Sequence, residues 1–364
     1  MAKVQPTQTP LFALEIDAGP IYELLMTLDI AFDTFHADET YTAGAAWLAA
    51  LRARAPADLR AAMSELDALD FVAFGGHKVW SNLTGLAYTC PAPRDVPTFI
   101  AQLRALTPLE LRLVLAGFYL RGARRLVLPD LMLQAAQGNR QAQAQLAAAA
   151  PAWPEIVRVL FTGDAAELQG RVVALLARWY ETVFRSVESQ VVPLLRRDVE
   201  MKRELAPTMS GERLIEAATN GLEFIPEPGY RDVLLIPTFT SSPWIITTEY
   251  RDTKIFYYPL ADEIVQQGDL PPANLVRMYR ALADERRLRI LKLLVQRERV
   301  SLPEVADAVE VTKSTAHHHL STLRAAGLVR VSDADKAYSL RTEMLPTVWK
   351  ALQAYLQLDV DPAP

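Results

Sequence analysis

Cysteine is nearly absent from this chain: there is one, Cys90, in 364 residues. A lone thiol excludes an intramolecular disulfide and any zinc site built on cysteine pairs, and such usage fits a reducing cytosol. It sits between Thr89 and Pro91 with no evident base beside it, so it reads as a structural thiol rather than a nucleophile or redox sensor. Long apolar runs are missing as well. The stretch from Leu146 to Phe161 is cut by Pro151, Pro154, Glu155 and Arg158, whereas a bilayer-spanning helix needs about 20 largely apolar residues. No apolar run follows a basic cluster in the opening MAKVQPTQTP, so no secretory signal is read there. The expectation is a soluble, cytoplasmic protein with no membrane partner. Enzyme signatures are also lacking: there is no Walker-type loop, dinucleotide fingerprint or His-Glu-x-x-His. Gly75-Gly76-His77 matches part of an oxyanion loop, but without a Gly-x-Ser-x-Gly elbow it reads as a turn. No enzymatic activity and no cofactor are expected.

What is present is ample core material and a charge asymmetry. Hydrophobic residues make up 51% of the chain, enough for two or three folded domains at this length. The net charge is −5, yet Pro272 to Thr342 holds 13 Lys and Arg against 8 Asp and Glu, a local +5 beside −10 for the remainder. A basic module attached to an acidic body suits a nucleic-acid reader with a separate domain.

The first two hundred residues carry helical periodicity. Helices are predicted over Pro20–Phe35, Thr42–Arg54, Ala57–Leu69, Val96–Leu106, Pro108–Arg121, Leu128–Gln137, Arg140–Ala149 and Ala152–Phe161. A longer one runs from Ala165 to about Leu205, with a kink or break expected at Pro193. After Leu205 the texture turns β-branched and aromatic. Leu222–Ile225, Asp232–Ile236, Ile245–Tyr250 and Lys254–Tyr258 predict a small antiparallel sheet, with a hairpin tip at Arg251-Asp252-Thr253. Eight of the 30 aromatics fall between Phe224 and Tyr258. Sheet packing accounts for them; the functional alternative is a pocket for an organic effector lined by Phe224, Phe239, Trp244, Tyr250, Phe256 and Tyr258.

The last quarter is patterned most tightly. Leu275, Met278, Tyr279 and Leu282 share one helical face; Asp284 caps a second helix through Leu294; Ser301 and Glu304 form a capping box; Thr312 caps a helix from Lys313 to Ala326; Gly327 ends it. Leu328–Val331 and Ala337–Arg341 then form a hairpin. A helix fits the DNA major groove with its first turns at the base edges, so Thr312, Lys313, Ser314, Thr315, His317 and His318 are the candidate DNA contacts, with Lys336 at the hairpin tip. Three successive histidines, His317 to His319, point about 100° apart on a helix and cannot converge on one ion. His319 is assigned to packing, and no metal site is expected.

Leu282-Ala283-Asp284, Arg287-Leu288-Arg289-Ile290-Leu291, Ser314-Thr315, His319-Leu320, Leu323, Ala326-Gly327-Leu328-Val329 and Tyr338-Ser339-Leu340 together resemble the ArsR (arsenic-repressor-like) branch of winged helix-turn-helix regulators, over about 70 residues. The resemblance implies homodimers that bind palindromic double-stranded DNA, usually as repressors released by an effector. It implies a dimer interface from the module's first and last helices: Leu275, Met278 and Tyr279 with Leu345, Val348, Trp349, Leu352, Tyr355 and Leu356. Three departures stand out. Leu302–Val309 has no cysteine or histidine and Met344–Leu358 no aspartate or histidine, so the family's metal-ligand sets are missing. Glu310 stands where glycine is common in the turn. The hairpin tip Asp333-Ala334-Asp335-Lys336 is mostly acidic, which weakens a wing's grip on DNA.

The expected fold is thus mainly α with small β: a helical N-terminal domain (1–206), a small α+β segment with antiparallel strands packed on it (207–265), a linker (266–272) and a winged helix DNA-binding and dimerisation domain (273–358). The expected activity is sequence-specific transcriptional regulation, with the N-terminal domain sensing a small organic effector or engaging a protein partner. The alternatives are an enzyme or an interaction scaffold fused to the same module.

Overall fold

The computed structural model describes residues 12–31, 40–265 and 271–358. Phe32–Phe35 of the first expected helix and Gln266–Leu270 of the expected linker lie outside them. In chain order the elements used below are β1 (Ala13–Ile16), α1 (Pro20–Ala31), α2 (Ala165–Trp179), α3 (Arg185–Leu205), α4 (Gly211–Ala218), β2 (Leu222–Glu223), β3 (Asp232–Thr238), β4 (Ile246–Tyr250), β5 (Thr253–Pro259), α5 (Ala273–Leu282), α6 (Glu285–Gln296), α7 (Leu302–Ala308), α8 (Lys313–Ala325), β6 (Val329–Ser332), β7 (Tyr338–Leu340) and α9 (Leu345–Leu356). Short helices fill the stretch from Ala45 to Phe161. Among the described residues, no helix is long and apolar enough to cross a membrane.

The chain divides into two compact units. One comprises Phe12–Val199 with Gly229–Tyr258; the other comprises Glu200–Pro228 with Pro259 onward. The segment expected at 207–265 is therefore shared between them: its strands β3 to β5 go with the N-terminal unit, and α4 and β2 with the C-terminal one. The reason is pairing, since β2 finds its hydrogen-bond partner in β6.

In the N-terminal unit, α1 is predominantly apolar and all twelve of its residues are buried, Glu23, Thr27 and Asp29 included. Of its two buried carboxylates, Glu23 accepts hydrogen bonds from the backbone and hydroxyl of Thr240 and from the Phe239 N–H; burial raises its pKa. Helices around it begin where side chains satisfy their first amides: Asp95 accepts from Thr98 N, Thr107 from Glu110 N and Asp164 from Glu167 N. The helix expected over Pro108–Arg121 ends at Leu115; Gly117, at φ +73°, turns the chain, and a new helix starts at Arg121. Of the kink or break expected at Pro193, no break occurs, since the helix assignment runs through it; a π-helical turn lies at Tyr180–Phe184.

The sheet of this unit has the order β1-β3-β5-β4. It is mixed rather than purely antiparallel, because β1 joins β3 in parallel, Ala13 opposite Asp232 through Ile16 opposite Leu235. β4 and β5 form the expected hairpin, Tyr250 opposite Thr253, around Arg251-Asp252. β3 and β5 are buried along nearly their whole length, so both faces are covered and neither strand alternates.

The C-terminal unit packs α5 to α8 around Met278, Ala281, Ile290, Leu291, Leu294, Val305, Leu320 and Leu323. The predicted caps are in place: Asp284 Oδ1 accepts from Arg287 N at 3.0 Å, and the Ser301–Glu304 capping box is closed in both directions. β6 and β7 form a hairpin, Val329 opposite Leu340.

Candidate nucleic-acid interface

The candidate site is built by α7, the turn after it and α8. Val311 N donates to Ala306 O at 3.0 Å to close the turn, and Glu310 occupies it at φ +57°. That left-handed conformation is the one glycine adopts without cost, which explains why the residue type is unusual there. Thr312 then caps α8, its Oγ1 accepting from Thr315 N at 3.2 Å. Ala316, Leu320 and Leu323 lock one face of α8 into the core, so the opposite face is presented outward: Lys313, Ser314 and His318 are exposed, and Thr315 and His317 half-buried. Lys313 makes no ion pair among the described residues.

Two arginines brace this arrangement from α6. Arg287 donates to the carbonyls of Ala281 and Arg280 at the end of α5, both at 2.8 Å, and Arg289 donates to Ala308 O at the end of α7 at 3.2 Å. Guanidinium groups at helix C-termini satisfy carbonyls that lack an intrahelical partner. Arg286, one residue earlier, instead lines an open depression of about 650 Å3 together with Glu310, Val311, Thr312 and Thr315. It joins the candidate phosphate contacts although sequence reasoning missed it; only the fold brings the start of α6 beside the start of α8.

His319 does pack inward, as its position predicts. Its ring lies 4.0 Å from the Asp284 carboxylate, and desolvation lowers its pKa, opposed by that charge. His318 and His319 have ring centres 6.1 Å apart. Among the described residues no three His, Cys, Asp or Glu side chains gather as a metal site.

The hairpin departs most from expectation. Both its edges are covered. On one side Val300 exchanges hydrogen bonds with Tyr338, at 2.9 and 2.8 Å; on the other β2 pairs in parallel with β6, Leu222 opposite Val331 and Glu223 opposite Ser332. The α4–β2 segment also pairs with basic residues of the hairpin and of the chain before α7. Glu216 takes Arg330 at 2.6 Å and lies 3.8 Å from Arg341; Glu223 takes Arg299 at 3.0 Å. Asn220 reaches the end of α8, donating to Ala325 O at 3.3 Å and accepting from Arg341 at 3.1 Å. At the tip Lys336 is paired with Asp333 at 2.8 Å, and Asp335 is held by Arg299. Hydrogen bonds from Ser332 and the Ala337 N–H, with Arg299, depress the Asp335 pKa to about 2. Lys336, expected as a DNA contact, thus belongs to a tip whose charges are matched internally.

The expected dimerisation residues separate into two groups. Leu275, Met278 and Val348 are buried, the last two in the core of the C-terminal unit. Tyr279, Leu345, Trp349, Tyr355 and Leu356 are exposed, Trp349 at 53% and Leu356 at 50%, with Leu352 half-buried. The six aromatics suggested as an effector pocket are divided between the two units: Phe224 falls in the C-terminal unit, whereas Trp244, Tyr250, Phe256 and Tyr258 are buried in the N-terminal one and Phe239 packs edge-on against Trp47. Cys90 is buried, and desolvation raises its thiol pKa.

Residues 282–332, from the end of α5 to the end of β6, match the family described as "Helix-turn-helix domain". Over 74 residues, 20% of this chain and 74% of the relative, the sequence is 38% identical to the uncharacterized HTH-type transcriptional regulator YceK of Bacillus subtilis (strain 168).

Proposed function

Because the chain belongs to the helix-turn-helix transcriptional regulators, we propose that it reads double-stranded DNA through α8 as a winged-helix homodimer of the ArsR type. The observation that carries this reading is the outward start of α8: a lysine, three hydroxyls and two histidines on the face opposite its core contacts, with Arg286 beside them. Free amides at a helix start and a nearby guanidinium hold phosphate oxygens, and the residues one and two turns on reach base edges. The exposed apolar side of α9 with Tyr279 is the proposed dimer surface, which would set the spacing of two α8 helices on a palindromic site. The N-terminal unit acts as a sensor rather than a catalyst, and repression relieved by its effector is the proposed mode.

The test is a mobility-shift assay on DNA selected from genomic fragments. Lys313→Ala should weaken binding to all sequences alike, whereas His317→Ala or His318→Ala should change which sequences are preferred. Absence of any specific complex across a range of salt concentrations would overturn the reading.

A further inference from the structure

We propose that the α4–β2 segment is an autoinhibitory contact, occupying arginines of the β6–β7 hairpin and of the chain before α7 that would otherwise hold DNA phosphates. This rests on the reading of α8 and the hairpin as the elements that face DNA. The chain leaves the N-terminal unit after Val199, contributes Glu200–Pro228 to the C-terminal unit and rejoins the N-terminal unit at Gly229. α4 and β2 are therefore a piece of the C-terminal unit whose two chain ends both lead into the other one. Their attachment is partly by backbone. Val331 N donates to Gly221 O and Asp333 N to Glu223 O, both at 2.9 Å, so β2 lengthens the sheet on the β6 side. Gly221, at φ +108°, permits this approach, because a Cβ there would lie 3.0 Å from Val329 O. Leu214, Ile215 and Ala218 are buried and seat α4, and Asn220 touches the end of α8 through Ala325 O. One short segment thus meets both elements assigned to DNA.

The rest of the attachment is by charge. Glu216 reaches Arg330 at 2.6 Å and Arg341 at 3.8 Å, and Glu223 takes Arg299 at 3.0 Å. Glu343 shares Arg330 and Arg341 at 3.3 and 3.4 Å, and Asp335 shares Arg299 at 3.1 Å. These pairs are open to exchange: the side chains of Arg330 and Glu216 are 26% and 23% exposed, those of Arg299 and Glu223 43% and 34%. Ion pairs in contact with water contribute little, whereas a duplex offers a row of phosphates whose counterions are released on binding. A carboxylate and a phosphate on the same guanidinium repel each other, so seating of the segment and binding of DNA oppose one another. Such coupling is reciprocal. A segment that lowers DNA affinity must itself be loosened by DNA to the same degree, and the bonds that report loosening are those from Val331 N and Asp333 N to β2.

The experiment is fluorescence anisotropy of the full chain with labelled duplexes of genomically selected and of random sequence, over a salt series. Glu216→Gln/Glu223→Gln is expected to bind both duplexes about tenfold more tightly than the parent chain, with a slope of log K on log salt steeper by about one or two. Glu155→Gln/Glu181→Gln, which removes as many exposed carboxylates from the N-terminal unit, should change neither quantity. In the parent chain, DNA should speed hydrogen exchange of the Val331 and Asp333 amides. Circular dichroism matching the parent establishes that each variant is folded; should the first double variant fail to fold, Glu223→Gln alone carries the test. Equal affinity and slope in the parent and that variant, an equal gain in the control, or exchange at Val331 and Asp333 that DNA leaves unchanged or slows would each overturn the autoinhibitory role while leaving the reading of α8 standing. No binding by either chain would overturn both, and binding by the Glu216→Gln/Glu223→Gln chain alone would support both.

Discussion

At the scale of single residues, the helix-turn-helix region contains two positions where the side chain works against the local structure. Glu310 adopts a left-handed backbone that costs a non-glycine residue about 1 kcal/mol. Glu310→Gly is therefore expected to stabilise the turn by about 1 kcal/mol, read as slower hydrogen exchange of α7 and α8 amides; faster exchange would show that the Glu310 side chain contributes more than its backbone costs. His319 is the second. Neither ring nitrogen has a hydrogen-bond partner, and desolvation lowers its pKa below 6.5. Between the folded and unfolded pKa values the unfolded chain binds more protons, so stability is complete above about pH 6.5 and declines as pH falls below it. His319→Leu should flatten this decline in urea midpoints measured from about pH 7.5 to pH 5, and should not destabilise the protein at the upper end. Residue-level expectations of this kind were legible in the sequence because capping and turn chemistry are local: Asp284, Ser301, Glu304, Thr312 and Gly327 act on neighbours within four positions.

At the scale of elements, the hairpin and its added strand separate what sequence pattern can and cannot reveal. The hairpin itself was legible, since its two strands are neighbours in the chain. A strand at Leu222–Ile225 was legible too, and β2 lies within it, but its pairing was not: it was expected in the antiparallel sheet, and its partners Val331 and Ser332 lie more than a hundred positions away. The same limit hid β1, four residues pairing with β3 across two hundred positions. In the α4–β2 segment Glu216 holds Arg330 and faces Arg341, two charges that the proposed DNA-reading mode would bring near the DNA backbone. Glu216→Gln should raise affinity for DNA of any sequence and steepen the dependence of log K on log salt by about one. Fluorescence anisotropy at several salt concentrations reads this directly; an unchanged slope would mean that the hairpin does not approach DNA.

At the scale of the whole molecule, the protein pairs a unit proposed to read DNA, basic from Pro272 to Thr342, with an acidic remainder. The exposed side of α9 is what makes the reading unit an assembly in this account. Trp349→Arg combined with Leu356→Arg should convert a dimer to a monomer in light scattering, with loss of cooperative DNA binding; a variant that stays dimeric places the interface elsewhere. The charge asymmetry and the α8 face were visible in the sequence, but the separation of Leu275, Met278 and Val348 from the exposed members of the same faces was not, since periodicity marks an apolar stripe without saying what covers it. The central claim is that α8 reads DNA, and the most direct measurement is a footprint on genomic DNA bound by the full chain, repeated with Lys313→Ala over a salt series. The account predicts a discrete protected site with two half-sites about one helical turn apart, and a salt slope lower by about one for Lys313→Ala. Uniform or absent protection, or a salt slope that ignores Lys313, would contradict it.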